Sequence, residues 1–122
     1  MRAHNDMAAA NPRRQPVTGD QLDLAADVLR HLADPTRLHL LHLLAAGEQD
    51  VGTLTAQLAA SRSSVSQHLG RLRLAGLVHV RRDGRRMRYR LASDHLVALV
   101  DEACQFAEHL VHDIPHHLSR ER

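Results

Sequence analysis

The chain has a single cysteine, Cys104, among its 122 residues. One cysteine excludes a disulfide within a protomer and any metal cluster held by several thiolates of one protomer. The sequence also has no apolar run of the roughly 20 residues that cross a bilayer, and no apolar segment typical of a signal peptide near its N-terminus. These absences predict a cytoplasmic protein without a membrane partner, and the length suits one domain.

The motifs of common enzyme classes are absent as well. The sequence contains no glycine-rich nucleotide loop and no HExxH zinc motif. Cys104 lies in the middle of a predicted helix without a base close to it in sequence, a position typical of a small apolar residue. We therefore expect neither an enzyme nor an organic cofactor.

The sequence also has no lysine: all 16 of its Lys and Arg residues are arginines. The formal net charge is only +2. The arginines are concentrated in one short segment, which holds Arg81, Arg82, Arg85, Arg86, Arg88 and Arg90. Since the positive charge is local rather than spread over the chain, it favours nucleic acid as a partner over a membrane surface.

Residues 61–76 (SRSSVSQHLGRLRLAG) have the pattern of a DNA-recognition helix. Ser61 or Ser63 can cap its start, and Gly76 follows its end. An apolar face at helical spacing consists of Val65, Leu69 and Leu72. The opposite face carries Ser64, Gln67, His68 and Arg71. These side chains are of the types that bond to base edges and phosphates, although this segment alone leaves an ordinary surface helix equally open.

A β-hairpin is predicted directly after this helix. Two β-type runs, 77–82 and 85–91, flank Asp83-Gly84, a dipeptide that favours a type I′ turn. Alternation in the second run places Arg86, Arg88 and Arg90 on one face of the strand. A basic hairpin beside a recognition helix is the electrostatic pattern of a duplex-binding protein.

The remaining segments complete a winged helix-turn-helix of the mainly α (α+β) class, with five helices and a two-stranded wing. Asp20 or Thr18 caps the first helix, and Asp34 caps the second with Pro35 in its first turn. The predicted order is a flexible arm (1–19), a DNA-binding and dimerisation domain (20–113) and a histidine-containing tail (114–122). Within the domain, helices are predicted at 21–33, 35–46, 51–60, 61–76 and from Ser93 to about 113.

The runs ADPTRLHLLHLL and SVSQHLGRLRLAGLV, followed by RRDGRRMRYRL, resemble the ArsR/SmtB family of dimeric bacterial metal-sensing repressors over residues 21–113. The resemblance implies a homodimer that pairs through its first and last helices and binds palindromic double-stranded operator DNA. It implies DNA contacts for Ser64, Ser66, Gln67, His68 and Arg71. The wing contributes the further DNA-binding candidates Arg82, Arg85 and Arg86.

The resemblance also directs attention to metal ligands. The family's thiolate site at the start of the third helix is lost, because residues 48–52 contain no cysteine. On the last helix, Ser93 and Phe106 stand where two ligands of the family's zinc site would be. What remains is similar to the nickel- and cobalt-sensing, KmtR-like branch, which implies the ligands His95, Glu108, His109 and His117, with His116 as the fifth.

Nitrogen and oxygen ligands suit Ni(II) or Co(II) as the effector, while Zn(II) stays possible. His95 and His109 are about 21 Å apart along one helix, at roughly 1.5 Å per residue. One helix therefore cannot close the site, but two last helices packed antiparallel across a dimer axis can. The alternatives are a solvated histidine-rich tail, a zinc-responsive regulator, and a metal-independent regulator that acts with a protein partner.

Overall fold

Five α-helices and three short β-strands make up residues 14–113, the part of the chain that the computed structural model describes. In chain order they are α1 (Gly19–Leu32), α2 (Pro35–Ala45), β1 (Gln49–Asp50), α3 (Val51–Ala56), α4 (Arg62–Leu74), β2 (Val78–Asp83), β3 (Arg86–Leu91) and α5 (Asp94–Asp113). The predicted winged helix-turn-helix is confirmed. The proposed tail, most of the proposed arm, and the candidate ligands His116 and His117 lie outside the described residues.

Helix caps fix the starts of the helices largely as predicted. Thr18, one of the two candidates, caps α1 by a capping box in which its Oγ1 accepts from the Gln21 N–H (3.1 Å). Asp34 caps α2 with Pro35 in its first turn, and Ser61 rather than Ser63 caps α4. Each cap satisfies a backbone N–H that has no partner inside its helix.

Helix α3 is shorter than predicted, because it ends at Ala56 and not at Ala60. The N–H groups of Gln57 and Leu58 bond three residues back, to Leu54 and Thr55, which tightens the chain into a turn. The Gln57 side chain then donates to the Thr53 carbonyl (2.9 Å). This turn sets Ser61 in an extended conformation, so that it caps α4.

The wing differs from the prediction in two respects. It has three antiparallel strands in the order β1-β3-β2, because Gln49 and Asp50 pair with Tyr89 and Arg88. A two-residue strand is too short to show alternation in a sequence. The hairpin turn is also not type I′, since Asp83 pairs with Arg86 and only Gly84 has a positive φ (64°). A single positive φ at the first central residue fits a type II′ turn.

The hydrophobic core is built around α2, which packs against α1, α4, β3 and α5. Leu40 and Leu41 of α2 are completely buried. The predicted inner face of α4 is confirmed, because Val65, Leu69 and Leu72 are buried against this centre. Helices α4 and α5 therefore share one supporting helix.

Among residues 14–113, no helix has both the length and the apolar content needed to cross a membrane.

Candidate DNA interface and histidine-bearing helix

The solvent-facing side of α4 carries most of the predicted DNA-binding side chains. Ser66, Gln67 and Arg71 are exposed, and Ser64 is half-buried one turn after the Ser61 cap. Three apolar residues hold the opposite face in the core. The exposed side of α4 is therefore free to enter a groove, and its hydroxyl, amide and guanidinium groups can bond to bases and phosphates.

His68 occupies a different environment from its neighbours on α4. Its side chain is half-buried, and its Nδ1 is enclosed without a hydrogen-bond partner among residues 14–113. The hydrogen bond from the Arg37 N–H is the main cause of the lowered pKa of Asp34, and the charge of His68 contributes to the shift. His68 thus lies near the cap of α2, at the inner edge of the face on which it was predicted.

Three of the six wing arginines form ion pairs with carboxylates of the same protomer. Arg81 binds Glu48 with its Nε and Nη2 (2.8–3.0 Å), and this hydrogen bonding lowers the pKa of the glutamate. Arg88 binds Asp83 at 2.7 Å and lowers the pKa of that carboxyl. The third pair joins Arg86 and Asp50 at 3.1 Å. Much of the wing's positive charge is therefore offset locally.

Arg82 and Arg85 carry the charge at the end of the wing. Both are exposed, and the Arg82 Nε donates to the Gly84 carbonyl across the turn (3.2 Å). The third wing candidate, Arg86, is also exposed, although its guanidinium contacts Asp50. The sequence did not reveal this contact because the two residues are 36 positions apart. The one feature near in sequence that relates to this contact is the position of Asp50, immediately before α3.

The candidate metal ligands of α5 lie on the surface of the helix. His95, Glu108 and His109 are all exposed, and the Glu108 carboxylate contacts the His112 ring at 2.8 Å instead of its neighbour His109. Among residues 14–113 of one protomer, no three side chains of His, Cys, Asp or Glu converge in an arrangement that could hold a metal ion.

A groove between α2 and α5 lies beside this surface and brings His42 of α2 close to Glu108 of α5. The groove has a volume of about 390 Å³ and is lined by His42, Asp101, Cys104, Gln105 and Glu108. His42 is exposed on α2. The half-buried Cys104 packs against the core, as expected for a small apolar residue.

Helices α1 and α5 expose an unusual amount of apolar surface. Leu22 and Leu29 of α1 are 58% and 53% exposed, and Phe106 and Val111 of α5 are 65% and 68% exposed. Exposed apolar side chains concentrated on two helices indicate a surface that another molecule covers.

The chain resembles several known proteins. Residues 34–80 match the family described as "Bacterial regulatory protein, arsR family". The HTH-type transcriptional regulator KmtR of Mycobacterium tuberculosis is 45% identical over 102 residues, which cover 84% of this chain and 78% of that protein. A transcriptional repressor SmtB homolog of Synechocystis is 42% identical over 91 residues, which cover 75% and 67% of the two chains.

Solved structures show the same architecture. A homodimeric winged helix-turn-helix DNA-binding domain from Mycobacterium bovis aligns with a TM-score of 0.70 at 33% identity, over 86% of this chain and 98% of that chain. HlyU from Vibrio cholerae aligns with a TM-score of 0.69 at 31% identity, over 73% of this chain and 97% of that chain.

Proposed function

Because this chain belongs to the ArsR family of bacterial DNA-binding transcriptional regulators, we propose that it is a homodimeric repressor whose operator affinity is lowered by Ni(II) or Co(II). The observation that carries the metal part of the proposal is the set of exposed imidazole and carboxylate groups on α5, beside an uncovered apolar surface. The relatives named KmtR and SmtB support a regulator of this kind.

The DNA-binding part of the proposal assigns α4 to the major groove. Ser66, Gln67 and Arg71 contact base edges and phosphates, with Ser64 at the margin of this surface. Arg82 and Arg85 of the wing bind the phosphate backbone beside the groove. The half-buried His68 serves mainly to support the inner edge of α4, and only its exposed atoms reach DNA.

The homodimer is proposed to form through α1 and α5. Their exposed leucine, valine and phenylalanine side chains would be removed from water in such an interface. The homodimeric relative from Mycobacterium bovis supports this assembly. A two-fold axis also explains how His95 of one protomer could approach Glu108 and His109 of its partner.

The donor set fits the proposed ions by its chemistry. His95, His109 and Glu108 offer imidazole nitrogens and a carboxylate, and no cysteine belongs to the set. A set of five or six nitrogen and oxygen donors suits an octahedral ion such as Ni(II) or Co(II) better than tetrahedral Zn(II). His116 and His117, beyond the described residues, are proposed to complete the set.

A bound ion would fix the donors of two α5 helices relative to each other. Helix α5 packs on α2 and β3, and α2 in turn packs on α4. A change in the angle of α5 therefore reaches α4 through buried leucines, and the two recognition helices of the dimer lose their spacing. A typical coupling of about 1–3 kcal/mol lowers operator affinity about 5- to 150-fold.

The test begins with an operator selected from a random duplex library by the metal-free protein. Fluorescence anisotropy then gives the affinity without metal and with saturating Ni(II), Co(II) or Zn(II). We expect Ni(II) or Co(II) to weaken binding most, and weak visible absorption bands of the Co(II) form would indicate five or six ligands. Unchanged affinity with all three ions would contradict the proposal, and the largest effect from Zn(II) would favour the zinc-responsive alternative.

A matched pair of variants tests the assigned ligands. Replacing His95 and His109 together by alanine should abolish the metal response while the metal-free affinity stays the same. The control is His39→Ala, which removes an exposed histidine of α2 and should keep the full response. If the double variant keeps the full metal response, as the control does, His95 and His109 are not ligands of the proposed site.

A further inference from the structure

A cavity of about 410 Å³ lies between the start of α4, the start of α3 and the end of the wing. Three guanidinium groups line it, from Arg62 of α4, Arg85 of the turn and Arg86 of β3. Asp50 contributes the one carboxylate in the lining. The cavity thus gathers positive charge from segments that lie far apart in sequence.

The single carboxylate is already engaged. Its Oδ1 accepts the Thr53 N–H at 2.7 Å, and its Oδ2 accepts from the Arg86 Nη1 at 3.1 Å. By contrast, neither Arg62 nor Arg85 forms an ion pair within residues 14–113. The cavity therefore keeps an excess of positive charge that residues 14–113 do not offset.

The positive charge of Arg62 lies at the positively polarised start of α4, where it destabilises the helix. Arg62 is the first residue of α4, and the first turn of that helix contains no acidic residue. The free N–H groups of a helix start carry partial positive charge, so a guanidinium there adds repulsion. An anion placed in the cavity would relieve this repulsion and bind two unpaired arginines at the same time.

We propose that this cavity is a phosphate-binding site, and that its occupant is a phosphodiester of the operator backbone. The major groove is bordered by phosphate backbones, so a cavity beside the first turn of a helix inserted in that groove faces one of them. Arg62 and Arg85 bind the phosphate, and Asp50 positions Arg86 at the cavity wall. Arginine suits this task because its planar donors match two phosphate oxygens.

The inference rests on DNA binding by α4, as set out under the proposed function, and adds Arg62 to the contacts. A backbone contact acts on every sequence, so the probe is a fluorescent duplex of random sequence, titrated between about 50 and 200 mM chloride. For Arg62→Gln we expect weaker binding and a log–log salt slope shallower by about 1 per protomer. Arg85→Gln, at an exposed turn, should behave in the same way.

The control variant is Arg30→Gln, which removes an exposed arginine of α1 whose partner is Asp27. Because α1 belongs to the proposed dimer interface, sedimentation equilibrium verifies that Arg30→Gln remains a dimer, and its affinity and salt slope should then equal those of the wild type. Thermal melting of each variant verifies that the fold is intact. Wild-type slopes from both Arg62→Gln and Arg85→Gln would overturn the site, whereas a wild type that binds no duplex would overturn the proposed function itself.

Free phosphate is the other source of the same chemistry. Inorganic phosphate is therefore compared with chloride at equal ionic strength. Because the same arginines can bind either source, we expect phosphate to raise the melting temperature of the wild type more than that of Arg62→Gln. If phosphate does so while Arg62→Gln keeps the duplex affinity and salt slope of the wild type, the cavity takes a free anion and the assignment to the DNA backbone is wrong.

Discussion

Asp50 joins two elements through a single carboxylate. One oxygen caps α3 through the Thr53 N–H, and the other holds Arg86 of β3. The hydrogen bonds from Thr53 are the largest causes of the lowered pKa of this carboxyl, and the charge of Arg86 adds to them. The side chain is only 12% exposed, so water competes weakly for both contacts.

This environment predicts a specific loss of stability in acid. Because the pKa of Asp50 is lower in the folded state than its ordinary value of 3.8, its contribution is complete above that pH and disappears as the pH falls below it. Urea denaturation at neutral pH should show a lower free energy of unfolding for Asp50→Asn than for the wild type. Below pH 3.8 the difference should shrink, and a constant difference would contradict the assigned role.

At the scale of one element, a glycine inside α4 and a glycine just after it have opposite conformational requirements. Gly70 lies inside the helix, and a Cβ added there would have no atom within 4 Å. Gly76 follows the helix with a φ of 79°, a conformation that side chains disfavour. The same substitution should therefore have opposite effects at the two positions.

We expect Gly70→Ala to raise the free energy of unfolding by about 0.5–1 kcal/mol, because alanine loses less backbone entropy in a helix. Gly76→Ala should lower it by about 1–2 kcal/mol, the cost of a left-handed residue with a side chain. Urea denaturation of the two variants measures both values. A loss of stability in Gly70→Ala would show that the middle of α4 is more crowded than its backbone indicates.

The elements also show what the sequence could and could not predict. Caps such as Thr18, Asp34 and Ser61 are set by side chains within three residues, so the sequence located them. Strand β1 and the Glu48–Arg81 pair depend on residues more than 30 positions away, which no local pattern reveals. The inward placement of His68 likewise depends on the packing of α4 against α2, and helical periodicity alone placed it outside.

For the whole molecule, the exposed apolar surface of α1 and α5 leads to a prediction about assembly. Phe106→Glu would place an unpaired charge in the proposed interface twice, once from each protomer, at a cost of several kcal/mol. The dissociation constant of the dimer should rise at least about 100-fold, as measured by sedimentation equilibrium. Leu74→Glu is the control, since Leu74 is 86% exposed on α4, outside the proposed interface; equal dissociation of both variants would contradict the assignment.

The ion pairs of the wing have a consequence for how many counterions DNA binding releases. Arg81, Arg86 and Arg88 each have a carboxylate partner in the protomer, so in the proposed DNA interface these pairs would bring no net charge to the phosphates. Arginines without such a partner can replace condensed cations at the phosphates without first breaking an ion pair. The stoichiometry of cation release should therefore follow the uncompensated arginines of the folded protomer, and fall short of the number that the arginine-rich sequence of the wing suggests.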